Sequence, residues 1–163
     1  MKTQEIAEVV RLHGLWLAGQ PGGKRADLPG ADLTEADLRG ANLRWADLTL
    51  TNLPPLKTVL PEGDFTAYKK VRCEMFMVVL TLLVPADAAR TGSLVGRKCR
   101  ADKVRVISAS VEGGTFYSLH RPSFTYKMGE VVTEPNYNGD VRVECTKGIH
   151  FFLTREEAEN YTF

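Results

Sequence analysis

The chain lacks the features that mark several large classes of protein. Its 163 residues include only three cysteines, Cys73, Cys99 and Cys145, an odd and widely spaced set that argues against a disulfide framework and favours reduced thiols in a cytoplasmic protein. The longest apolar run, residues 75–84, is about half the length that a membrane-spanning helix needs. The formal net charge is only +1, so no overall charge draws the chain to duplex nucleic acid or to an acidic membrane.

Further absences narrow the possible functions. Residues 1–19 carry Glu5, Glu8 and Arg11 among their apolar positions, which predicts that no signal peptide is present. No glycine-rich loop is followed by Lys-Ser or Lys-Thr, which argues against a nucleoside triphosphatase. No cysteines and histidines follow the spacing of a zinc finger or zinc ribbon. The sequence therefore predicts neither a cofactor nor a metal site.

A five-residue repeat fills residues 26–55. In each unit the first position is Ala or Thr, the second is Asp or Asn, and the third is always Leu. A period of five fits neither a helix nor a strand, whose side chains repeat after 3.6 and 2 residues. It is typical of a coil that turns a corner every five residues, with each Leu pointing to its axis.

These units resemble the pentapeptide-repeat family, whose chains wind into a four-sided right-handed β-helix with four units in each coil. The resemblance implies a short right-handed quadrilateral β-helix over residues 26–55, with only about one and a half coils. A stack this short must be sealed by the segments that flank it. One role known in the family is mimicry of duplex DNA. It is disfavoured here because residues 24–53 carry five acidic and four basic side chains, too balanced to imitate an array of phosphates.

The segment before the repeat is predicted to be a helix over residues 3–19. Thr3 is the expected N-cap, and Gly19 with residues 21–23 ends the helix. One face is apolar and follows helical spacing: Ile6, Val9, Val10, Leu12, Leu15 and Trp16. We expect this helix to cap the open end of the coil. Binding of a partner or of a membrane surface is the alternative.

The remaining residues predict a β-rich α+β domain, so the fold class is mainly β with domains at 1–25, 26–55 and 56–163. The nearly all-apolar strand 75–84 is expected to be central and covered on both faces. The turn at 112–114 predicts a hairpin between strands 104–111 and 115–119. Thr154 and Glu157 have the spacing of a capping box before a final helix. Further strands are predicted over 65–70, 123–127, 130–134, 141–145 and 149–153.

Positive charge is concentrated in the first half of this domain. Residues 65–106 carry nine basic and three acidic side chains, a local charge of +6. Arginine and lysine from 69–72 and 97–103 could together bind a phosphate or carboxylate, with Tyr68 or Tyr117 stacking on a base. A solvated face of alternating charge is the alternative. The candidate ligand-binding residues are Tyr68, Lys69, Lys70, Arg72, Arg97, Lys98, Arg100, Lys103, Glu144 and His150.

Glu144, Cys145 and His150 lie close together in sequence and allow several interpretations. Cys145 and His150 could form a nucleophile and its base in a hydrolase or transferase, with Glu144 in support. They could be half of a metal site that Cys73 or Cys99 completes. They could also line a pocket without catalysis, or be structural, since His150 is surrounded in sequence by apolar residues. The structural interpretation is favoured, and no catalytic residue is assigned.

Residues 63–161 resemble an uncharacterised domain that follows pentapeptide repeats in bacteriophage and large-virus proteins. The segments that carry this resemblance are 63–71, 97–101 and 144–152. It implies a viral origin and a place in the host cytoplasm, but no established activity.

The sequence therefore predicts a non-catalytic phage accessory protein that binds a small anionic ligand, such as a nucleotide immune signal that it sequesters. The first alternative is a protein-binding module that acts on a host factor through the repeat or the N-terminal helix. The second is the hydrolase or transferase described above. Homo-oligomers are expected because a short solenoid leaves an open edge. Duplex nucleic acid and membranes are not expected partners.

Overall fold

The structure is a computed structural model that describes residues 3–38, 41–53, 58–94, 96–111, 114–143 and 146–162. Over these residues the chain is mainly β, with antiparallel sheets and a short N-terminal helix. The elements are α1 (Thr3–Leu17), β1 (Phe65–Cys73), β2 (Phe76–Val84), β3 (Arg90–Thr91), β4 (Cys99–Ala101), β5 (Lys103–Ala109), β6 (Phe116–Tyr117), β7 (Thr125–Tyr126), β8 (Val131–Thr133), β9 (Ile149–Phe151) and α2 (Arg155–Glu159).

The chain divides into two compact units. The first, here called the repeat unit, consists of Met1–Val59, Ser93–Gly96 and Asp140–Thr146. The second, here called the β unit, consists of Leu60–Gly92, Arg97–Gly139 and Lys147–Phe163. Two short segments from the second half of the chain therefore belong to the repeat unit. The domain boundaries given by the sequence stay a prediction.

The leucines of the repeat form the core of the repeat unit. Leu28, Leu33, Leu38 and Leu43 are each at most 2% exposed and pack in one cluster with the small side chains of Ala26 and Ala41. Burial thus explains the leucine at the third position of each repeat. The limited space beside it explains the alanine at the first position. The burial of apolar area in this cluster is the main favourable contribution to folding of the unit.

Backbone hydrogen bonds show how successive repeats turn. The amide that begins a new repeat donates to the leucine carbonyl three residues earlier, as in Ala31 to Leu28 and Ala36 to Leu33. The second-position carboxylate of Asp32 accepts from the amide two residues later, which stabilises the turn. Asp27 pairs in parallel with Asp47, and Asp32 with Asn52, so residues 20 positions apart lie side by side. Four repeats separate each pair.

Helix α1 packs against the leucine cluster through Ile6, Val9 and Val10. The helix prediction is confirmed, although α1 ends at Leu17, two residues earlier than expected. The chain then reverses, and the amide of Lys24 donates to the carbonyl of Leu12 over 3.0 Å, which ties the returning chain to the helix backbone. The side chain of Thr3, the predicted N-cap, lies outside the described part of the structure. No described helix has the length and apolar character needed to cross a membrane.

A buried histidine joins α1 to two separate repeats. The side chain of His13 is fully buried, and its Nδ1 accepts a hydrogen bond of 3.0 Å from the amide of Ala26. Its Nε2 lies 3.0 Å from the carbonyl oxygen of Arg44. Because Nδ1 accepts, Nε2 carries the proton and donates to that carbonyl. The imidazole thereby supplies hydrogen-bond partners to the buried amide of Ala26 and to the carbonyl of Arg44.

The two distant segments of the repeat unit also contact the repeats. Leu94 is buried within the leucine cluster. Val143 pairs in antiparallel fashion with Asn42, and the amide of Leu43 donates to the carbonyl of Arg142 over 3.2 Å. Part of the flanking cover that the short repeat requires therefore comes from residues about 100 positions away in sequence, whose pairing no local pattern predicts.

The β unit contains two antiparallel sheets. The larger has the strand order β7-β6-β1-β2-β5-β8, and the smaller has the order β3-β4-β9. Inward-facing apolar side chains from both sheets, such as Val71, Leu80, Val106 and Phe151, form one core. Within the larger sheet, β1 and β2 pair over nine residues, from Phe65 with Val84 to Cys73 with Phe76.

Three sequence predictions for residues 56–163 are corrected by the structure. The hairpin between 104–111 and 115–119 is wrong, because β5 pairs with β2 and β8 while β6 pairs with β1 and β7. Strand β2 is central as expected, but it is not covered throughout, since Met75, Phe76 and Met77 are 91%, 69% and 51% exposed. Of the predicted strand 141–145, residues 141 and 142 form a turn, only Val143 makes a bridge, and the last two residues lie outside the described part.

Helix α2 begins as the sequence predicts. The hydroxyl of Thr154 accepts from the amide of Glu157, and the carboxylate of Glu157 accepts from the amide of Thr154. This capping box fixes the direction in which the chain leaves β9. It thereby places the C-terminal residues beside β1.

Candidate functional site

Strand β1 separates the predicted binding residues onto two faces. Lys69 lies between the inward-facing Ala67 and Val71, whereas Lys70 is on the opposite face. The amine of Lys70 donates to the carbonyls of Glu159 and Tyr161, at 2.7 and 3.0 Å, and so holds the end of α2 and the residues just after it.

The other predicted residues of β1 also lie on the face opposite Lys69. Tyr68 packs in a small cluster with Val79, Phe152 and Ala158, and Arg72 is exposed. Because Arg72 lies on this face, its guanidinium is separated from the amine of Lys69 by the sheet.

Two predicted cations already have carboxylate partners. Arg97 forms an ion pair with Glu157 of α2. Lys103 forms one with Asp87, at 2.7 Å between the amine nitrogen and the carboxylate oxygen. An anionic ligand would have to compete with these carboxylates, so the two residues are poor candidates for its main contacts.

Strand β1 changes its partner along one edge. On the edge of β1 that faces away from β2, Tyr68 exchanges two backbone hydrogen bonds of 2.8 Å with Phe152. Further along the same edge, Arg72 pairs with Tyr117 of β6. Within the described ranges, residues 69–71 have no strand pairing on this edge. We call the opening between the two pairings the gap.

Two histidines approach the gap from its two sides. Continuing the register of Tyr68 with Phe152 would bring His150 opposite Lys70. Continuing the register of Arg72 with Tyr117 would bring His120 opposite Lys69. Both registers, if continued, would bring an imidazole beside residues 69–70 of β1, one from β9 and one from the segment that follows β6.

The side chain of Lys69 contacts the backbone of His150 at the gap. The amine of Lys69 donates to the backbone carbonyl of His150 over 2.8 Å and lies 5.7 Å from the ring centre of Tyr126. The Nε2 atom of His150 is buried and has no hydrogen-bond partner. Among the residues that the structure describes, no carboxylate forms an ion pair or hydrogen bond with either side chain.

Tyr161 brings the remaining groups together. Its hydroxyl lies 2.8 Å from Nε2 of His120, and its ring centre lies 5.5 Å from the amine of Lys98. The ring also packs on Phe152, with 5.4 Å between centres. We call Lys69, Lys98, His120, His150 and Tyr161 the gap cluster.

Arg100 lies beside the gap cluster. It is the cross-strand neighbour of His150 in the smaller sheet and is only 1% exposed. Its Nε donates to the carbonyl of Asn138 over 2.7 Å. Its charge therefore acts on His150 from a fixed and buried position.

The electrostatics of the cluster follow from burial and like charge. Burial, and then the charge of Lys98, lowers the pKa of Lys69 from 10.5 to about 8. Burial, and then the charges of Lys69, Lys98, Arg100 and His120, lowers the pKa of His150 from 6.5 to about 3. Each positive group thus opposes the protonation of its neighbours.

The lowered pKa of Lys69 has a measurable consequence for stability. Between pH 8 and pH 10 the unfolded chain holds a proton on this amine that the folded chain has released, so stability rises with pH. We expect the free energy of unfolding to increase by about 2 kcal/mol over this range, measured by urea unfolding followed by circular dichroism. Lys69→Met should remove the increase.

The exposed Lys127 provides the control for that measurement, and Lys127→Met should keep the increase. A flat profile in the unchanged protein would contradict the burial of the Lys69 amine. The range ends at pH 10 because burial raises the pKa of Tyr126, whose folded form keeps its proton at higher pH and reverses the trend.

Comparison with known families adds two matches. A family model of pentapeptide repeats matches residues 24–53, and a model described as a family of unknown function, DUF5758, matches residues 56–158. The second match covers more than half of the chain. The chain belongs to DUF5758. No curated protein and no solved structure matches it.

The matches confirm the pentapeptide repeats that the sequence predicts. The bacteriophage and large-virus link stays a prediction for this DUF5758 member. Every residue of the gap cluster except Tyr161 lies within the DUF5758 match.

The structure adds residues to the predicted site, and it leaves two of the residues discussed above undescribed. Glu144 and Cys145 lie outside the described residues. His120 and Tyr161 were not predicted, because neither lies near the basic segments in sequence. The described residues contain no group of three or more His, Cys, Asp or Glu side chains that could hold a metal ion.

Proposed function

We propose that this DUF5758 protein is a non-catalytic binding protein for a small anionic ligand, and that the gap cluster holds it. The observation that carries the proposal is the convergence of Lys69, Lys98, His120 and His150 on an opening in the sheet, where neither Lys69 nor His150 has a described carboxylate partner. Clusters of nitrogen donors of this kind are typical of sites for phosphate and other oxyanions.

An anion would remove the cost of placing these groups together. Without one, burial, and after it like charge, lowers the pKa of both Lys69 and His150, which means that charging either group in the folded chain costs free energy. A bound anion would attract all of them at once. It could also give the buried Nε2 of His150 the hydrogen bond that it lacks.

The aromatic side chains favour a nucleotide among the possible anions. Tyr161 lies between His120 and Lys98, and its ring could stack on a base while the amines hold the phosphate. The proposed contacts are Lys69, Lys98, His120, His150 and Tyr161, with Arg100 contributing charge. The proposed contacts do not include the predicted residues that lie on the opposite face of β1 or that already have carboxylate partners: Tyr68, Lys70, Arg72, Arg97 and Lys103. Glu144 stays a sequence prediction.

Titration calorimetry with a panel of cyclic and linear nucleotides tests the proposal. At least one nucleotide should bind, and Lys69→Met and Lys98→Met should each weaken it by about 10-fold or more, because each removes a charged donor. The matched control is Lys127→Met, which removes an exposed lysine of the same unit and should leave the affinity unchanged.

Two results would contradict the proposal. One is the absence of binding to any nucleotide, and the other is equal affinity in all three variants. Lys69→Met is a favourable test variant because it replaces a buried amine with an apolar side chain of similar length and is not expected to unfold the protein.

We also infer that the repeat winds as the short right-handed quadrilateral β-helix implied by the family resemblance. The support is the burial of the third-position leucine in each of the first four repeats and the parallel pairing of residues that are four repeats apart. In this function the coil is a rigid platform.

The alternatives stay predictions. A host factor that binds the repeat would meet Trp45 and Leu50, which are 64% and 88% exposed, and not the buried Leu33 or Leu38. The hydrolase or transferase reading depends on Cys145. Sequestration of an immune signal, a cytoplasmic location and homo-oligomers are likewise predictions.

A further inference from the structure

We propose that anion binding at the gap cluster takes up a proton at Nε2 of His150, so that the site binds a phosphate- or sulfate-type oxyanion more tightly as the pH falls. This inference rests on the proposed function. It concerns the regulation of that site by pH, because the ligand and the proton would bind together.

The first step of the argument is the position of Nε2. This atom is buried and has no hydrogen-bond partner, while the backbone carbonyl of the same residue accepts from Lys69. A buried polar atom without a partner is uncommon, because its desolvation is not compensated. A ligand that reached this atom would supply the hydrogen-bond partner that it lacks.

The second step is the set of charges that face the imidazole. Lys69 faces it from β1, and Arg100 faces it from β4. Lys98 does so from the position just before β4, and His120 from the segment that follows β6. All of these groups are basic. Together with burial they keep His150 neutral in the absence of an anion, which the lowered pKa supports.

The third step is the effect of the ligand. An oxyanion placed among these groups would offset the local positive potential, since an opposite charge within about 4 to 6 Å favours the protonated imidazole. The protonated ring donates from both nitrogens, so the proton also turns Nε2 into a charged donor. The donors come from three separate segments, which suits the several oxygens of a tetrahedral ion better than the two of a carboxylate.

Calorimetry at pH 6 in two buffers of different ionisation enthalpy measures the proton directly. The probes are sulfate and adenosine 3′,5′-cyclic monophosphate, because neither changes its own protonation near this pH. We expect an uptake of about half to one proton per site. We also expect the affinity to rise by up to about 10-fold for each pH unit between pH 7.5 and pH 6.

Two variants assign the proton to one imidazole. His150→Gln should abolish the uptake and flatten the pH profile while it leaves measurable binding, since the amide can still donate a hydrogen bond. His120→Gln removes the other imidazole of the cluster and should keep the uptake. Thermal unfolding of both variants checks that they fold.

The outcomes separate the two proposals. Binding without proton uptake, or uptake that His120→Gln removes and His150→Gln keeps, would overturn the inference and leave the binding function intact. No binding of either probe or of any nucleotide would overturn both. Uptake that is lost only in His150→Gln would support both.

Discussion

Replacing Leu33 with alanine is expected to lower the free energy of unfolding of the repeat unit by about 3 kcal/mol, within the range of about 2 to 5 found for buried leucines. Leu33 has no exposed surface and lies in the middle of the leucine cluster. Truncation removes buried apolar area and leaves a cavity that the stacked backbone, held by the hydrogen bonds of Leu33 and Asn52, cannot easily fill.

The chain provides a matched control for this substitution. Leu50 occupies the fifth position of its repeat and is 88% exposed, so Leu50→Ala should change the stability by less than about 0.5 kcal/mol. Both tryptophans, Trp16 and Trp45, belong to the repeat unit, and their fluorescence during urea unfolding reports on that unit alone. Equal stability of Leu33→Ala and the unchanged protein would contradict a core made of inward-pointing leucines.

The difference between Leu33 and Leu50 shows that a repeated sequence pattern predicts which side chains are buried. The repeat predicts the inward leucines because the same residue type returns at one position of a five-residue period. Helix α1 was predictable for the same reason, from the spacing of Ile6, Val9 and Val10. Patterns that repeat over several turns are resistant to small errors, so these predictions did not need the distant parts of the chain.

Contacts between distant residues were not predictable in this way. His13 joins α1 to the repeat, and Leu94 and Val143 come to the repeat unit from the second half of the chain. None of them belongs to a period. The wrong hairpin has the same origin, because the turn composition of 112–114 is a local signal, while the partners of β5 are fixed by the whole sheet.

The candidate site was partly visible in the sequence. The concentration of basic residues in 65–106 identified Lys69, Lys98 and Arg100, but it did not separate them from Lys70, Arg97 and Lys103. A finer signal was present, since strand alternation places Lys69 on the same face as Ala67 and Val71, where a lysine is unexpected. His120 and Tyr161 reach the gap only through the register of β6 and the position of α2.

Replacing Gly23 with alanine is expected to destabilise the repeat unit by about 3 kcal/mol or more, at the upper end of the cost of overpacking. A methyl group at Gly23 would lie 2.3 Å from the nitrogen of Trp16 and 2.6 Å from the carbonyl carbon of Leu15. Both atoms are backbone atoms of α1, so no rotation of a side chain relieves the overlap. The helix and the returning chain must instead move apart, which breaks the hydrogen bond from Lys24 to Leu12.

The control for Gly23→Ala is the same substitution at Gly14, within α1. Apart from the adjacent residues and the backbone of α1 itself, no atom lies within 4 Å of a methyl group there, and alanine favours the helix, so Gly14→Ala should raise the stability by about 0.5 to 1 kcal/mol. Tryptophan fluorescence again reads the unit directly, because Trp16 lies at the overlap. Stability of Gly23→Ala equal to that of Gly14→Ala would show that the chain after α1 does not pass against the helix backbone. The attachment of α1 to the first repeat would then have to be explained by His13 and the apolar face alone.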